Sequence, residues 1–262
     1  MSTLASIVAA ALAGGIIATA AAGLTLALSP AWIPRLVSFA VGALLGAVFI
    51  ELLPHALETG NASTVMATTL AGLLVFFLLE KLVLWRHSHG HAEHRDDESE
   101  SEHDHALHSH GDGGRSGLMI LIGNSVHNFC DGIVIAAAFL VDVRLGVATT
   151  VAIVSHAVPQ QVGDFAVLIH SGFTRGKAFT FNVASGAATL AGALAGYFAL
   201  AGMQQALPVV LALAAASLLY VAVADLIPSL HRRPEPIQTL GQVVAIGLGI
   251  AIIGGMHVLL EH

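Results

Sequence analysis

Residues 36–57 read LVSFAVGALLGAVFIELLPHAL, twenty-two positions with one carboxylate, one imidazole and no basic residue. A bilayer core takes about 20 apolar residues per helix, so this stretch predicts a membrane span. Measured the same way, the chain predicts seven more, near 4–28, 64–85, 117–140, 147–170, 179–202, 207–230 and 238–260. Breaks fall at Ser29-Pro30, Thr59-Gly60-Asn61, the polar stretch 86–116, Asp142 to Arg144, Gly172 to Lys177, Met203 to Pro208, and His231 to Pro236. The expectation is an all-α membrane protein of eight transmembrane helices. It forms a single membrane domain, residues 1–85 and 117–262, interrupted by a hydrophilic loop at 86–116.

Composition agrees. The chain is 56% hydrophobic and its mean hydropathy is +0.81. Charged residues make up 10%, against roughly 25% in a soluble domain. Such a chain in water would expose apolar surface it could not cover, whereas 27 glycines provide small surfaces for close helix packing in lipid. One cysteine excludes an intramolecular disulfide framework. The first apolar run lacks the basic n-region of a signal peptide and reads as a retained helix.

The basic residues orient the chain. Arg35, Lys81, Arg86, Arg95, Arg115, Arg175, Lys177, Arg232 and Arg233 fall on one side of the predicted spans, and Arg144 alone on the other. The positive-inside rule then places both termini outside and the 86–116 loop in the cytoplasm. Residues 87–110, HSHGHAEHRDDESESEHDHALHSH, hold eight of the fifteen histidines and no helical or strand periodicity, which predicts disorder. Imidazoles with carboxylates among them suit a loose metal buffer or sensor; a solvated tether of biased composition is the alternative. A further pattern links two spans. Glu51-Leu-Leu-Pro54 and Asp225-Leu-Ile-Pro228 each set a carboxylate three residues before a proline, in helices of opposite direction. Inverted-topology repeats leave such a trace, flanking a central pair of spans. Two unrelated proline kinks would also produce it.

Ionisable groups inside a bilayer are costly and mark a path or a site. In the fourth span, His127 and Asp131 share a face, with Cys130 beside them, in the stretch that begins Asn124-Ser-Val-His127-Asn128. Asn128 lies about one hundred degrees round and points to a second ion or to a neighbouring helix. In the fifth, His156, Gln160 and Asp164 form a stripe at four-residue spacing, with Gln161 beside it. Pro159 frees a carbonyl one turn back for a serine, a water or an ion. A short connection makes the two spans antiparallel neighbours, with both histidines at similar depth. Glu51 and His55 lie toward the outer end of the second span, as ligands at an outer mouth. Asp225 lies toward the inner end of the seventh, as an exit ligand. Ser185 and Asn182 share a face of the sixth. His257, Glu261 and His262 read as an interfacial cap or an outer-surface metal site.

These residues resemble the ZIP family of zinc and iron transporters, in its LIV-1-like branch. The likeness rests on Phe49-Ile-Glu-Leu-Leu-Pro-His55, on FFLLEKLVLWRHSH at 76–89, and most specifically on HNFCDG at 127–132, which matches the family's HNFxDG. The resemblance implies a bundle of three, two and three helices, commonly dimeric, which moves metal toward the cytoplasm by an elevator-like motion. It implies metal-site positions for His127, Asn128, Asp131, His156 and Gln160. The fifth span departs from the branch pattern HExPHExGD, reading HAVPQQVGD at 156–164. Ala157 and Gln161 replace glutamates and Gln160 replaces a histidine. The expectation is one mononuclear site from His127, Asp131, His156 and Gln160, with lower affinity than the full pattern.

The function expected is transport of a divalent cation, zinc foremost, with iron, manganese or cadmium also suited to a His/Asp site. The setting expected is a multi-pass homodimer in the cell membrane, or the inner membrane of a Gram-negative cell, with no nucleic-acid partner. A ZIP-like protein that senses metal or holds a partner is the second reading. A membrane zinc hydrolase is the third; it needs three fixed ligands, an open water position and a general base. Ala157 stands where that base would be, which argues against hydrolysis.

Overall fold

The structure, a computed structural model, describes residues 2–24, 33–89, 115–231 and 236–261. Within them the chain is helical, without strands. The helices are α1 (Thr3–Leu24), α2 (Ile33–Thr59), α3 (Ala62–His89), α4 (Arg115–Val141), α5 (Val143–His170), α6 (Arg175–Leu200), α7 (Gln204–His231) and α8 (Pro236–Glu261). Of the polar stretch 86–116, residues 86–89 continue α3 and 115–116 open α4, so that His87 and His89, expected in a disordered loop, stand in a helix. Residues 90–114 lie outside the described residues, as do the break at Ser29-Pro30, residues 232–235 and His262.

Seven of these helices are long and apolar enough to cross a membrane. The exception, α5, has 28 residues, about 42 Å at about 1.5 Å per residue, which exceeds a bilayer core. What it lacks is hydropathy, because His156, Pro159, Gln160, Gln161 and Asp164 interrupt its middle. Its packing compensates: α5 lies against α1, α2, α4, α6 and α8, so protein rather than lipid faces these groups. The chain is a multi-pass membrane protein.

The helices pack in two groups. α1, α4, α5 and α6 pack on one another; α2, α3, α7 and α8 form the second set. The groups meet chiefly where α2 lies along α5, in a core that includes Ala43, Leu44, Ala47 and Val48 with Leu145, Ala152 and Ile153. The tightest crossing in each group needs glycine. A Cβ on Gly132 of α4 would strike the Thr189 carbonyl, and one on Gly192 of α6 the Phe129 carbonyl. In the other group, Gly42 of α2 faces the Ile246 carbonyl and Gly249 of α8 the Phe39 carbonyl in the same way. Small residues let backbones touch, which is how membrane helices gain packing energy without a hydrophobic drive.

The two Glu/Asp-x-x-Pro segments share a distortion. α2 widens to a π turn over Ala47–Leu52, where the Leu53 N–H donates to the Val48 carbonyl five residues back. α7 does so over Val221–Leu226, with the Ile227 N–H donating to the Ala222 carbonyl. A proline ring clashes with the carbonyl four residues before it, and the wider turn makes room one residue upstream of Pro54 and Pro228. Glu51 and Asp225 occupy the same place in the two turns.

Candidate metal centre

α4 brings Asn124, His127 and Asp131 to one face, since their spacings of three and four residues each close one turn. α5 starts after a single residue, Asp142, whose Oδ1 accepts the Arg144 N–H at 2.7 Å and caps the new helix. So short a link forces α5 back along α4. His127 lies 14 residues before Val141 and His156 lies 13 after Val143, which sets the two imidazoles at one height.

Here the structure brings three donors to one point. His127 Nε2 lies 3.2 Å from His156 Nε2. Asp131 Oδ2 lies 3.5 Å from the first and 3.3 Å from the second. His156 and Asp131 are buried and His127 is partly so. Among the described residues this is the one group of three His, Cys, Asp or Glu side chains whose ligand atoms lie within 4.8 Å of one another. The separations have a chemical meaning. Four ligands at about 2.0–2.1 Å, tetrahedral around zinc, stand about 3.3–3.4 Å apart. Three Lewis bases with converging lone pairs need a proton or a cation between them.

The other candidate residues go elsewhere. Asn128 turns to α6, where its Nδ2 donates to the Ser185 Oγ at 2.8 Å and the Ser185 carbonyl at 3.1 Å. Of the two directions open to it, the structure selects the neighbouring helix. Gln161 is buried against α1 and α6: its Oε1 accepts the Thr19 hydroxyl at 3.1 Å, and its carbonyl accepts Asn182 Nδ2 at 3.1 Å. One turn before Pro159, Ser155 Oγ donates to the Val151 carbonyl at 2.6 Å. Gln160 lies one turn from His156. Its Nε2 donates to Asn124 Oδ1 at 2.5 Å, and Asn124 Nδ2 donates in turn to Asp164 Oδ2. Gln160 Oε1 is buried without a hydrogen-bond partner.

Glu51 is not at this centre. It is buried at the meeting of α2 and α8, with its Oε1 3.2 Å from His257 Nδ1. His55 turns its Nδ1 to the Glu51 carbonyl at 3.0 Å. Asp225, exposed on α7, and Cys130, partly exposed on α4, also lie outside the three-donor group. Asn124 is the residue whose part sequence reasoning missed, although its position three before His127 and seven before Asp131 puts it on their face. Thr19 had no comparable signal, being one of three hydroxyl residues in an alanine-rich helix without carboxylate or imidazole. Sequence position marks His257 only as an end cap or surface ligand; its partnership with Glu51 depends on the packing of α8 on α2.

Comparison with known proteins places this arrangement. The family model described as "ZIP Zinc transporter" matches residues 2–257. Zinc transporter ZIP13 of Pongo abelii is 32% identical over 242 residues, 85% of this chain and 66% of that protein. The zinc transporter ZIP13 homolog of Drosophila melanogaster is 30% identical over 277 residues, 87% of this chain and 78% of that protein. Zinc transporter ZIP5 of Homo sapiens is 36% identical over 151 residues, 57% of this chain and 28% of that protein. The chain thus spans about two thirds to four fifths of the length of these two ZIP13 relatives. With the family model covering nearly its whole length and HNFCDG at the convergence of α4 and α5, the chain belongs to the ZIP zinc transporter family.

Proposed function

We propose that this protein carries a divalent cation, zinc foremost, across the membrane toward the cytoplasm, and that His127, Asp131 and His156 hold the ion in passage. The observation that carries the reading is the spacing of the three donor atoms, 3.2, 3.3 and 3.5 Å, which is that of three corners of a zinc tetrahedron. Gln160 supplies the fourth donor from the next turn of α5. A ligand histidine in a resident zinc site has its second nitrogen anchored by a neighbour. His156 Nδ1 has no hydrogen-bond partner, which suits an ion that must leave as well as arrive. One ion at a time is expected, because Ala157 lines only a cavity of about 10 Å³ with Asp131 and Asn128 and brings no ligand. The family is one of transporters by its description, so hydrolysis is not part of the reading.

The membrane arrangement proposed is eight spans with both termini outside, the 86–116 loop in the cytoplasm, and inverted repeats that relate α2 to α7. The matched π turns at Glu51 and Asp225 support the repeat. An elevator-like motion has its natural seam where α2 lies along α5, between the two helix groups, and Asp225 stands near the inner end of the path. The protein works as a homodimer in the cell membrane. Zinc influx into dye-loaded proteoliposomes tests the reading. Wild type should exceed empty liposomes, and His127→Ala and His156→Ala should fall to their level. Unchanged rates in both folded variants would remove the proposed centre. Zinc binding without influx would favour a sensor.

A further inference from the structure

Asp164, Asn124 and Gln160 form a chain whose polarity is decided at one end. Asp164 has only acceptors to offer as a carboxylate. Asn124 must therefore present its NH2 to Asp164, and it does. Its carbonyl is then left facing Gln160, which must answer with its own NH2, as it does at 2.5 Å. The end of the chain is Gln160 Oε1, buried and without a hydrogen-bond partner, one helical turn from His156. An amide side chain can turn either atom to a neighbour, and the network around it decides which. For a cation the difference is large: the oxygen is a ligand, while the NH2 group carries partial positive charge and repels.

We propose that Asp164 is a positioning residue for metal binding, which acts through Asn124 to fix the Gln160 amide with its oxygen free for the cation at His127, Asp131 and His156. The proposal rests on the transport reading given above. It explains how a glutamine can serve where a stronger ligand is usual: a carboxylate one turn along α5 sets its orientation through Asn124. It also gives Asp164 a task that needs no contact with the ion.

The test measures zinc influx in proteoliposomes and separates KM from kcat. Loss of an outer-shell partner typically costs about 10–100-fold in metal affinity. Asp164→Asn, which lets both amides turn over, should raise KM about tenfold or more on that scale. The paired exchange Asn124→Asp with Asp164→Asn keeps an acceptor-only group in the chain. It should return KM to the wild-type range, because Gln160 must still donate. In a Gln160→Glu background, where the side chain has no NH2 to present, adding Asp164→Asn should leave KM where Gln160→Glu alone sets it. Thermal unfolding of each variant in detergent identifies any that fail to fold, and the paired exchange still reports if the single one does. No rise in KM for Asp164→Asn, or a rise that the exchange leaves in place, overturns the proposal. So does an equal rise in the Gln160→Glu background. If wild type moves no zinc above empty liposomes, the transport reading itself fails; if His127→Ala keeps a wild-type KM, the centre fails. Both outcomes are distinct from a failure of the Asp164 proposal.

Discussion

Among the described residues, Asp131 and Glu51 are buried carboxylates that lie beside imidazoles, and only Asp131 belongs to a three-donor group. Asp131, where α4 meets α5, has His127 and His156 against one oxygen. Glu51, where α2 meets α8, has His257 at 3.2 Å and no place in a three-donor group among the described residues. Both sit in the same kind of helix packing, with a glycine-tight crossing in each group: α4 on α6 through Gly132 and Gly192, α2 on α8 through Gly42 and Gly249. The backbone solution is shared and the chemistry is not. A carboxylate with one imidazole is a pair that holds two helices together. A second imidazole at 3.2 Å from the first makes three donor atoms converge, the arrangement proposed above to hold a cation.

That contrast can be broken at the crossing. Gly132→Val would drive a side chain into the Thr189 carbonyl, with backbone as the obstacle rather than a flexible side chain. Overpacking a core costs about 1–3 kcal/mol, and a backbone obstacle belongs at or above the top of that range. Gly132 follows Asp131, so α4 pushed off α6 should also spoil the donor spacing. Thermal unfolding in detergent should fall, and zinc influx with it. A variant with wild-type stability would show that α4 and α6 do not meet there.

A smaller effect sharpens the boundary of the centre. Asn128 adjoins His127 in sequence but gives its amide to Ser185. Hydrogen bonds between membrane helices average about 0.6 kcal/mol and reach about 1.7. Asn128→Ala should therefore cost stability within that range and leave the zinc KM at the wild-type value. A raised KM with unchanged stability would bring Asn128 into the ligand set.

Much of this was legible in the sequence because helices in a membrane follow length and hydropathy. The span near 147–170 was the weakest by composition, yet α5 covers it at 143–170, sheltered by five neighbours. His127, Asp131 and His156 were legible because two regularities combine: a four-residue spacing fixes a face, and a short link fixes relative depth. What was not legible depends on a third helix. Asn128 had two directions open to it, and only the position of α6 decides for Ser185. Gln161 lies next to Gln160 but meets Thr19 of α1, a pairing across 142 positions that no local spacing encodes. The prolines of α2 and α7 read as kinks. Their form, a π turn that carries the carboxylate at the same place in both, needed backbone geometry.

The most direct measurement sets the two carboxylates side by side in one assay: zinc influx into proteoliposomes that contain Asp131→Asn or Glu51→Gln, at matched amounts of folded protein. With the ion held between His127, Asp131 and His156, Asp131→Asn should fall to the rate of empty liposomes. Glu51→Gln should keep the wild-type KM and lose stability instead, since hydrogen bonds to charged groups are worth about 1.5–3 kcal/mol. Influx that survives Asp131→Asn and is lost with Glu51→Gln would contradict the account.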